Sequence, residues 1–298
     1  MKKTIYILII LFCKNNLFAQ PKITYEAYQY YQEKNLAKAK ELIEVAIENK
    51  QGMKDPLTWQ IRGFIFKDLF NKEEGSQGND KDRENAISSI QKSIEYDTKK
   101  EYEENNLKAL KFLGISYYND VVLTIRNADT VGLPMADNTY AKYKTVYASA
   151  DPGFDFKEKD ISFYKAIATC YRKIYEENRV AKKSYFTKAI NYYKQVILLD
   201  PENYGANYNL AVNLYNEGAY KIEQISADDQ IPTIVKIQSS SIELFKQALP
   251  YMLKAHSLNQ EREETLKGLR GIYLSLSEDA EANKYKELLL NKQQAGNK

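Results

Sequence analysis

Residues able to do chemistry are sparse in this chain of 298 residues. It has one histidine, His256, and two cysteines, Cys13 and Cys170. A Cys/His zinc site needs more ligands than these supply. No histidine lies near Cys170 in sequence to activate its thiol. Asp80-x-Asp82-x-Glu84 has the alternating carboxylates of a calcium loop. It lacks the sharp-turn glycine, whose place Asn85 takes, and the late glutamate. Gly75-x-x-Gly78 matches neither a phosphate-binding loop nor a dinucleotide fingerprint. The pairs Glu73-Glu74 and Asp228-Asp229 read as solvated loop charges, with nothing to bury or aim them for acid–base work. These residues predict no catalysis, no metal and no cofactor.

The start of the chain carries a different message. Lys2 and Lys3 precede an apolar run from Thr4 to Phe12, then Lys14-Asn15-Asn16 and Leu17-Phe18-Ala19. That is the layout of a secretory leader over residues 1–19, cut before Gln20. A spanning helix needs about 20 apolar residues, so no stable membrane anchor is expected. Bulky Phe12 before Cys13 argues against a lipid-attachment signal. The whole chain has 43 Lys+Arg against 40 Asp+Glu. The leader holds Lys2, Lys3 and Lys14 and no acid, which leaves 40 of each. A neutral chain has no overall field to draw nucleic acid or anionic lipid. Only Cys170 would remain after cleavage, so packing alone must hold an exported product together.

Hydrophobic residues make up 44% of the chain, with seven prolines and twelve glycines. Long helices are easy to accommodate, and strand-like alternation is scarce. A spaced pattern of small and aromatic residues recurs. Its clearest copy is Trp59-x-x-Arg62-Gly63-x-x-Phe66 followed by Ala86-x-x-x-Ile90-x-x-Ser93. Another is Tyr164-x-x-Ile167-Ala168-x-x-Tyr171, then Ala189-x-x-x-Tyr193-x-x-Val196 and Pro201. The first-helix copies centre on Ala27, Gly63, Gly114, Ala168, Ala211 and Arg270. The second-helix alanines are Ala39, Ala86, Ala141, Ala189, Ala248 and Ala282. Small residues at these places let two helices cross closely, while residues three and four apart share a core-facing stripe.

The pattern resembles the tetratricopeptide repeat over about residues 20–292, ahead of a polar tail at 293–298. Within that family the chain is similar to exported bacterial, Bacteroidota-like members. The resemblance implies an all-α, right-handed α-solenoid of about six helical hairpins that offers a surface for partners. Departures from the pattern are visible: Arg270 replaces a small residue, Lys286 stands where an aromatic belongs, and Thr145 does so in the third copy. In some members Lys, Asn and Arg at fixed first-helix positions hold a peptide C-terminus. Lys165 and Asn209 fit such positions, but Thr169, Glu264 and Gly268 do not, so that role is excluded.

The two end copies keep nine residues between the first-helix aromatic and the second-helix alanine, Tyr30 to Ala39 and Tyr273 to Ala282. The four middle copies are expanded there. Asn71 to Asp82 reads as a polar loop, Asn127 to Asn138 as a breaker-rich turn, and Asn178 to Ser184 as longer helices. Ala219 to Ser241 is apolar enough to predict an added helical segment, with Pro232 in its first turn. Either the expansions form an interacting edge or they only lengthen helices.

The 25 tyrosines include core positions and others that the resemblance places on the inner groove. The groove candidates for partner binding are Tyr28, Tyr31, Gln60, Phe64, Lys111, Tyr118, Asn119, Lys165, Arg172, Tyr208, Tyr215 and Asn216. Aromatics beside Lys and Asn suit an extended peptide or a sugar ring. A general bias toward Tyr, Asn, Lys and Ile would give the same count. The leading expectation is a non-catalytic scaffold of the bacterial cell envelope, most simply periplasmic, that binds protein or peptide partners and no nucleic acid. The alternative is a carbohydrate- or nutrient-binding part of an outer-membrane uptake system.

Overall fold

The computed structural model describes residues 22–72, 80–127 and 132–296. Among them are twelve α-helices and no strand. They are Lys22–Gln32 (α1), Leu36–Glu48 (α2), Pro56–Lys72 (α3), Asp80–Tyr96 (α4), Glu103–Arg126 (α5), Ala136–Ala150 (α6), Lys157–Glu177 (α7), Lys183–Leu199 (α8), Tyr204–Glu223 (α9), Ile231–Leu258 (α10), Glu263–Ser275 (α11) and Asp279–Gly296 (α12). The predicted leader and most of the predicted polar loop at 73–79 lie outside the described residues. None of the described helices is long and apolar enough to cross a membrane.

The chain divides into two units. One holds the residues up to Thr124 with Pro134–Phe154; the other holds Ile125–Leu133 and the residues from Asp155 onward. Helices pair as hairpins in chain order, α1 with α2 through α5 with α6 in the first unit and α7 with α8 through α11 with α12 in the second. Side-chain caps start several of them. Asn35 Oδ1 accepts from Lys38 N at 3.2 Å ahead of α2, and Asn203 Oδ1 accepts from Ala206 N at 3.1 Å ahead of α9. Asp55 Oδ2 accepts from Thr58 N at 3.0 Å, with Pro56 opening α3. Each satisfies an amide that has no partner within the helix.

The small residues sit where hairpins cross. Ala27, Ala39, Ala86, Ala168, Ala189, Ala211 and Ala248 are fully buried. A Cβ on Gly63 would come 2.5 Å from Ile90 Cδ1 and 3.3 Å from Ile90 N. On Gly114 it would come 3.2 Å from Tyr147 N. Ile90 and Tyr147 therefore hold equivalent places, and this corrects the third copy. Its second helix runs two residues later than the alanine pattern predicts. Ala141 is exposed, and Tyr143 fills the place that Ala86 holds in the second hairpin. The aromatic and small residue that follow are Tyr147 and Ala150, so the rest of the pattern is intact. Tyr143 is accommodated by an aromatic cluster, its ring 5.1 Å from Tyr118, 5.6 Å from Tyr140 and 5.7 Å from Tyr147.

The last hairpin carries a smaller correction. Tyr285, not the position of Lys286, supplies the aromatic. It stacks on Tyr273 at 5.7 Å with the rings 10° apart, while Lys286 and Arg270 are exposed. Helix α12 continues into the predicted tail as far as Gly296.

The expansions lengthen helices. The end helices α1, α2 and α11 have 11, 13 and 13 residues, whereas α9 and α10 have 20 and 28. The added segment predicted over Ala219 to Ser241 is not a separate element. Helix α9 runs through to Glu223, and α10 starts at Ile231 with Pro232 in its first turn. Proline lacks the N–H that a first turn leaves unpaired, so it starts this helix without loss.

Both unexpanded hairpins turn in the same way. Lys34 and Ser277 adopt left-handed φ values of 63° and 60°. Asn35 N then donates to Tyr30 O at 2.9 Å, and Glu278 N to Tyr273 O at 2.9 Å. Residues with a Cβ are disfavoured there, and glycine is not. Lys34→Gly and Ser277→Gly should each raise stability by about 0.5–1 kcal/mol. Denaturation midpoints check this, and a fall in either would contradict the turn geometry.

Candidate functional site

Among the described residues the isolated reactive groups, His256 and Cys170, are engaged, while Cys13 and Glu73-Glu74 lie outside them. His256 is half-buried, with Nδ1 3.3 Å from Thr265 Oγ1 and its ring edge-on to Tyr285. Burial pushes its pKa down. Cys170 is a buried free thiol that donates to Ile125 O at 3.2 Å, and burial pushes its pKa up. Asp80 and Asp82 lie in the first turn of α4. Asp80 pairs with Arg83, Asp82 lies 3.8 Å from Lys40, and Glu84 pairs with Lys142 at 3.0 Å. They are ion pairs made along α4, with Asp82 and Arg83 themselves buried, not a loop cage. Asp229 Oδ2 accepts from Ser226 N at 2.8 Å and so closes a turn.

The candidate binding residues divide between the two units. In the first, Tyr28 and Tyr31 lie on α1, Gln60 and Phe64 on α3, and Lys111, Tyr118 and Asn119 on α5. Gln60 must be removed from the set. It is 6% exposed, and its Nε2 donates to Asn106 Oδ1 at 3.1 Å and to Tyr102 O at 3.3 Å. Asn106 in turn donates to Ser93 Oγ at 2.8 Å, so this amide joins helices instead of meeting a partner. Lys111 pairs with Asp151 at 2.7 Å, and that bond raises its pKa. Tyr118 is half-buried in the aromatic cluster with Tyr140 and Tyr143. Asn119 is exposed.

A continuous strip links α1, α3 and α5. Tyr31 Oη donates to Asp68 Oδ2 at 2.8 Å. Burial, and then the Asp68 carboxylate, push the Tyr31 phenol well above its ordinary pKa. Lys67 Nζ pairs with Asp68 at 2.7 Å and lies 6.0 Å from the centre of the Phe64 ring and 5.5 Å from that of Phe112. Tyr28, Phe112 and Ile115 are 39%, 41% and 45% exposed. Sequence reading missed Lys67, Asp68, Phe112 and Ile115. The signal for Ile115 was present: Tyr28, Phe64 and Ile115 each directly follow the small residue of their helix, Ala27, Gly63 and Gly114. That register puts all three at the same angle on their helices, about 100° around from the crossing.

In the second unit, Lys165 and Arg172 lie on α7, and Tyr208, Tyr215 and Asn216 on α9. The Lys165 side chain runs beside the start of α9, its Nζ 3.7 Å from where a Cβ on Gly205 would stand. Arg172 pairs with Glu176 at 2.8 Å. Tyr208 stacks on Tyr204 at 5.9 Å with the rings 5° apart. Tyr204 Oη reaches Glu264 Oε1 at 3.4 Å, and burial, then Glu264, push its phenol up to about 12. Tyr215 packs 5.5 Å from Phe245 and against Gly271. Asn216 is exposed, and its carbonyl lies 3.5 Å from Arg179 Nη1. The residues after Ala168 and Ala211 here are Thr169 and Val212. Thr169 Oγ1 donates to Lys165 O at 2.9 Å, and Val212 packs on the core. The apolar strip of the first unit has no counterpart at these two positions.

No family model and no curated protein matches the chain. Among solved structures it is similar to MamA, at 17% identity and a TM-score of 0.30, covering 78% of this chain and 92% of that one. It is similar to PilW, described as a widely conserved type IV pilus biogenesis factor, at 17% identity and 0.30, covering 90% of each. A third likeness is the TPR2AB domain of yeast Sti1 in complex with pHSP90, at 17% identity and 0.25, covering 91% and 97%. These likenesses are distant. The chain's own geometry, helical hairpins in series with small residues buried at their crossings, fits the tetratricopeptide repeat family.

Proposed function

We propose that this chain is a non-catalytic, exported scaffold of the cell envelope whose α1–α3–α5 face docks a protein partner. The observation that carries the reading is the alignment of Tyr28, Phe64 and Ile115 at one register of three alternate helices, α1, α3 and α5, with Phe112 exposed beside them. Clustered apolar residues on a surface mark docking sites far more often than scattered ones do. Aromatic anchors add affinity at low entropic cost. The carbohydrate reading rests on Tyr208 and Tyr215. It is weaker, because each of those rings already packs on an aromatic neighbour.

A photo-crosslinking side chain placed at Phe112 or Ile115 in living cells tests the proposal. Discrete adducts to the same protein are expected from both positions, and none from exposed Lys99. An adduct pattern identical at all three positions would refute a specific face.

A further inference from the structure

The first unit holds a second site that shares no residue with the strip and does not depend on the docking role. Helices α4 and α6 flank a cleft of about 420 Å³, and Tyr117 of α5 lines it between them. Small-molecule sites run from about 300 to 1,000 Å³. The lining runs from Glu84 to Gln91 on α4 and from Asn138 past Thr145 on α6. Seven residues of helix span about 10.5 Å.

Tyr117 is the informative residue. It is 3% exposed, and the Arg83 guanidinium packs 3.7 Å from its ring centre. Arg83 is itself fixed by Asp120 at 2.6 Å, so the ring is held in place. A phenol buried this deeply normally finds a hydrogen-bond partner. The Tyr117 hydroxyl has none among the described residues. It is not sealed off either, because the one fully buried side-chain polar atom without a partner among those residues is Arg83 Nε. An unbonded, unsealed hydroxyl on a ring that lines the cleft is presented to the cleft. Burial pushes its pKa up, so it stays a donor.

The rest of the lining defines the ligand. Its two charged side chains, Glu84 and Lys142, pair with each other across the cleft at 3.0 Å. A charged ligand meets no unpaired counter-charge there. That bridge also joins the two walls at the Glu84 end, which stops a continuous peptide from running through. Gln91, Asn138 and Thr145 are exposed and, like Tyr117, bond to no described residue through their side chains. Amides and hydroxyls each donate and accept, and so do the hydroxyls of a polyol. Ile87 and Val146 are buried and supply apolar contact.

We propose that this cleft binds an uncharged, polyhydroxylated molecule of mono- or disaccharide size. Tyr117 Oη donates to a ligand oxygen, Gln91, Asn138 and Thr145 bond its other hydroxyls, and Ile87 and Val146 meet its C–H face.

Saturation-transfer NMR on the purified chain tests this. The neutral probes are glucose, galactose, N-acetylglucosamine, maltose and cellobiose. The controls are glucuronate, glucosamine and a capped Gly-Ser-Asn peptide. At least one neutral sugar is expected to bind, and to bind more tightly than every control. Tyr117→Phe should weaken it about three- to tenfold, the loss of one hydrogen bond. The same variant should leave the thermal melt unchanged, because the hydroxyl bonds nothing in the protein. Ala141 is exposed in the lining, so Ala141→Lys should also keep the melt while obstructing the cleft and abolishing the signal. The proposal is overturned if no neutral sugar gives a signal that both variants reduce. It is equally overturned if a charged sugar or the peptide gives the stronger Tyr117-dependent signal, or if Tyr117→Phe lowers the melt.

Discussion

Tyr171→Ala is expected to destabilise the second unit by about 3–5 kcal/mol, the range for emptying a buried aromatic site. Tyr171 is 1% exposed and is among the largest fully buried side chains of the protein. Its ring stacks between Tyr185 at 5.5 Å and Tyr192 at 5.7 Å. Both are side chains of α8, so truncation removes one of the contacts that join α7 to its hairpin partner. The hydroxyl has a separate role. It donates to Leu133 O at 3.2 Å and thereby holds Leu133 against α7. Tyr171→Phe should therefore cost only about 1 kcal/mol, the net worth of one hydrogen bond, with a further penalty if the Leu133 carbonyl finds no water. Far-UV circular dichroism during urea unfolding measures both. A loss below about 1 kcal/mol for Tyr171→Ala would mean that the ring is not packed between its neighbours.

The hairpin fold was legible because it rests on residues whose size alone carries the message. Gly63, Ala168 and Ala211 must be small wherever two helices touch, and their spacing survives any change in the loops. The unmodified turns were legible for the same reason: nine residues leave room for one tight left-handed turn and nothing else. The expanded turns were not. An apolar stretch such as Ala219 to Ser241 has the composition of a separate helix and of an extension alike, and only packing on a neighbour decides between them. The proposed docking face was half legible. Family position selected Tyr28, Tyr31 and Phe64, which the structure places on one strip, and also Gln60, whose polarity points to solvent in sequence and to a buried amide network in three dimensions. The charge pairing that makes the strip neutral, Lys67 with Asp68 and Lys111 with Asp151, lies outside any periodicity argument. The first pair joins neighbouring residues, and the second joins residues forty apart.

The third hairpin allows the sharpest test of where sequence and structure part. If Ala141 were the close-approach residue, as the alanine pattern predicts, a lysine there would force α5 and α6 apart. In the structure Ala141 is exposed, so Ala141→Lys should stay within about 0.5 kcal/mol of the parent protein. Tyr143→Ala should restore the family's small residue and yet destabilise. Tyr143 is 2% exposed and touches the rings of Tyr118, Tyr140 and Tyr147. Truncation empties that cluster at a cost of about 3 kcal/mol. This lies at the low end for an aromatic, because α6 can slide inward and fill part of the space. The single tryptophan, Trp59, is buried in the same unit with its indole N–H donating to Met53 O at 2.9 Å. Its fluorescence during denaturation follows this unit directly. A large loss from Ala141→Lys with little change from Tyr143→Ala would restore the sequence register and move α6 by two residues. The opposite result fixes Tyr143 as the side chain around which the third hairpin closes.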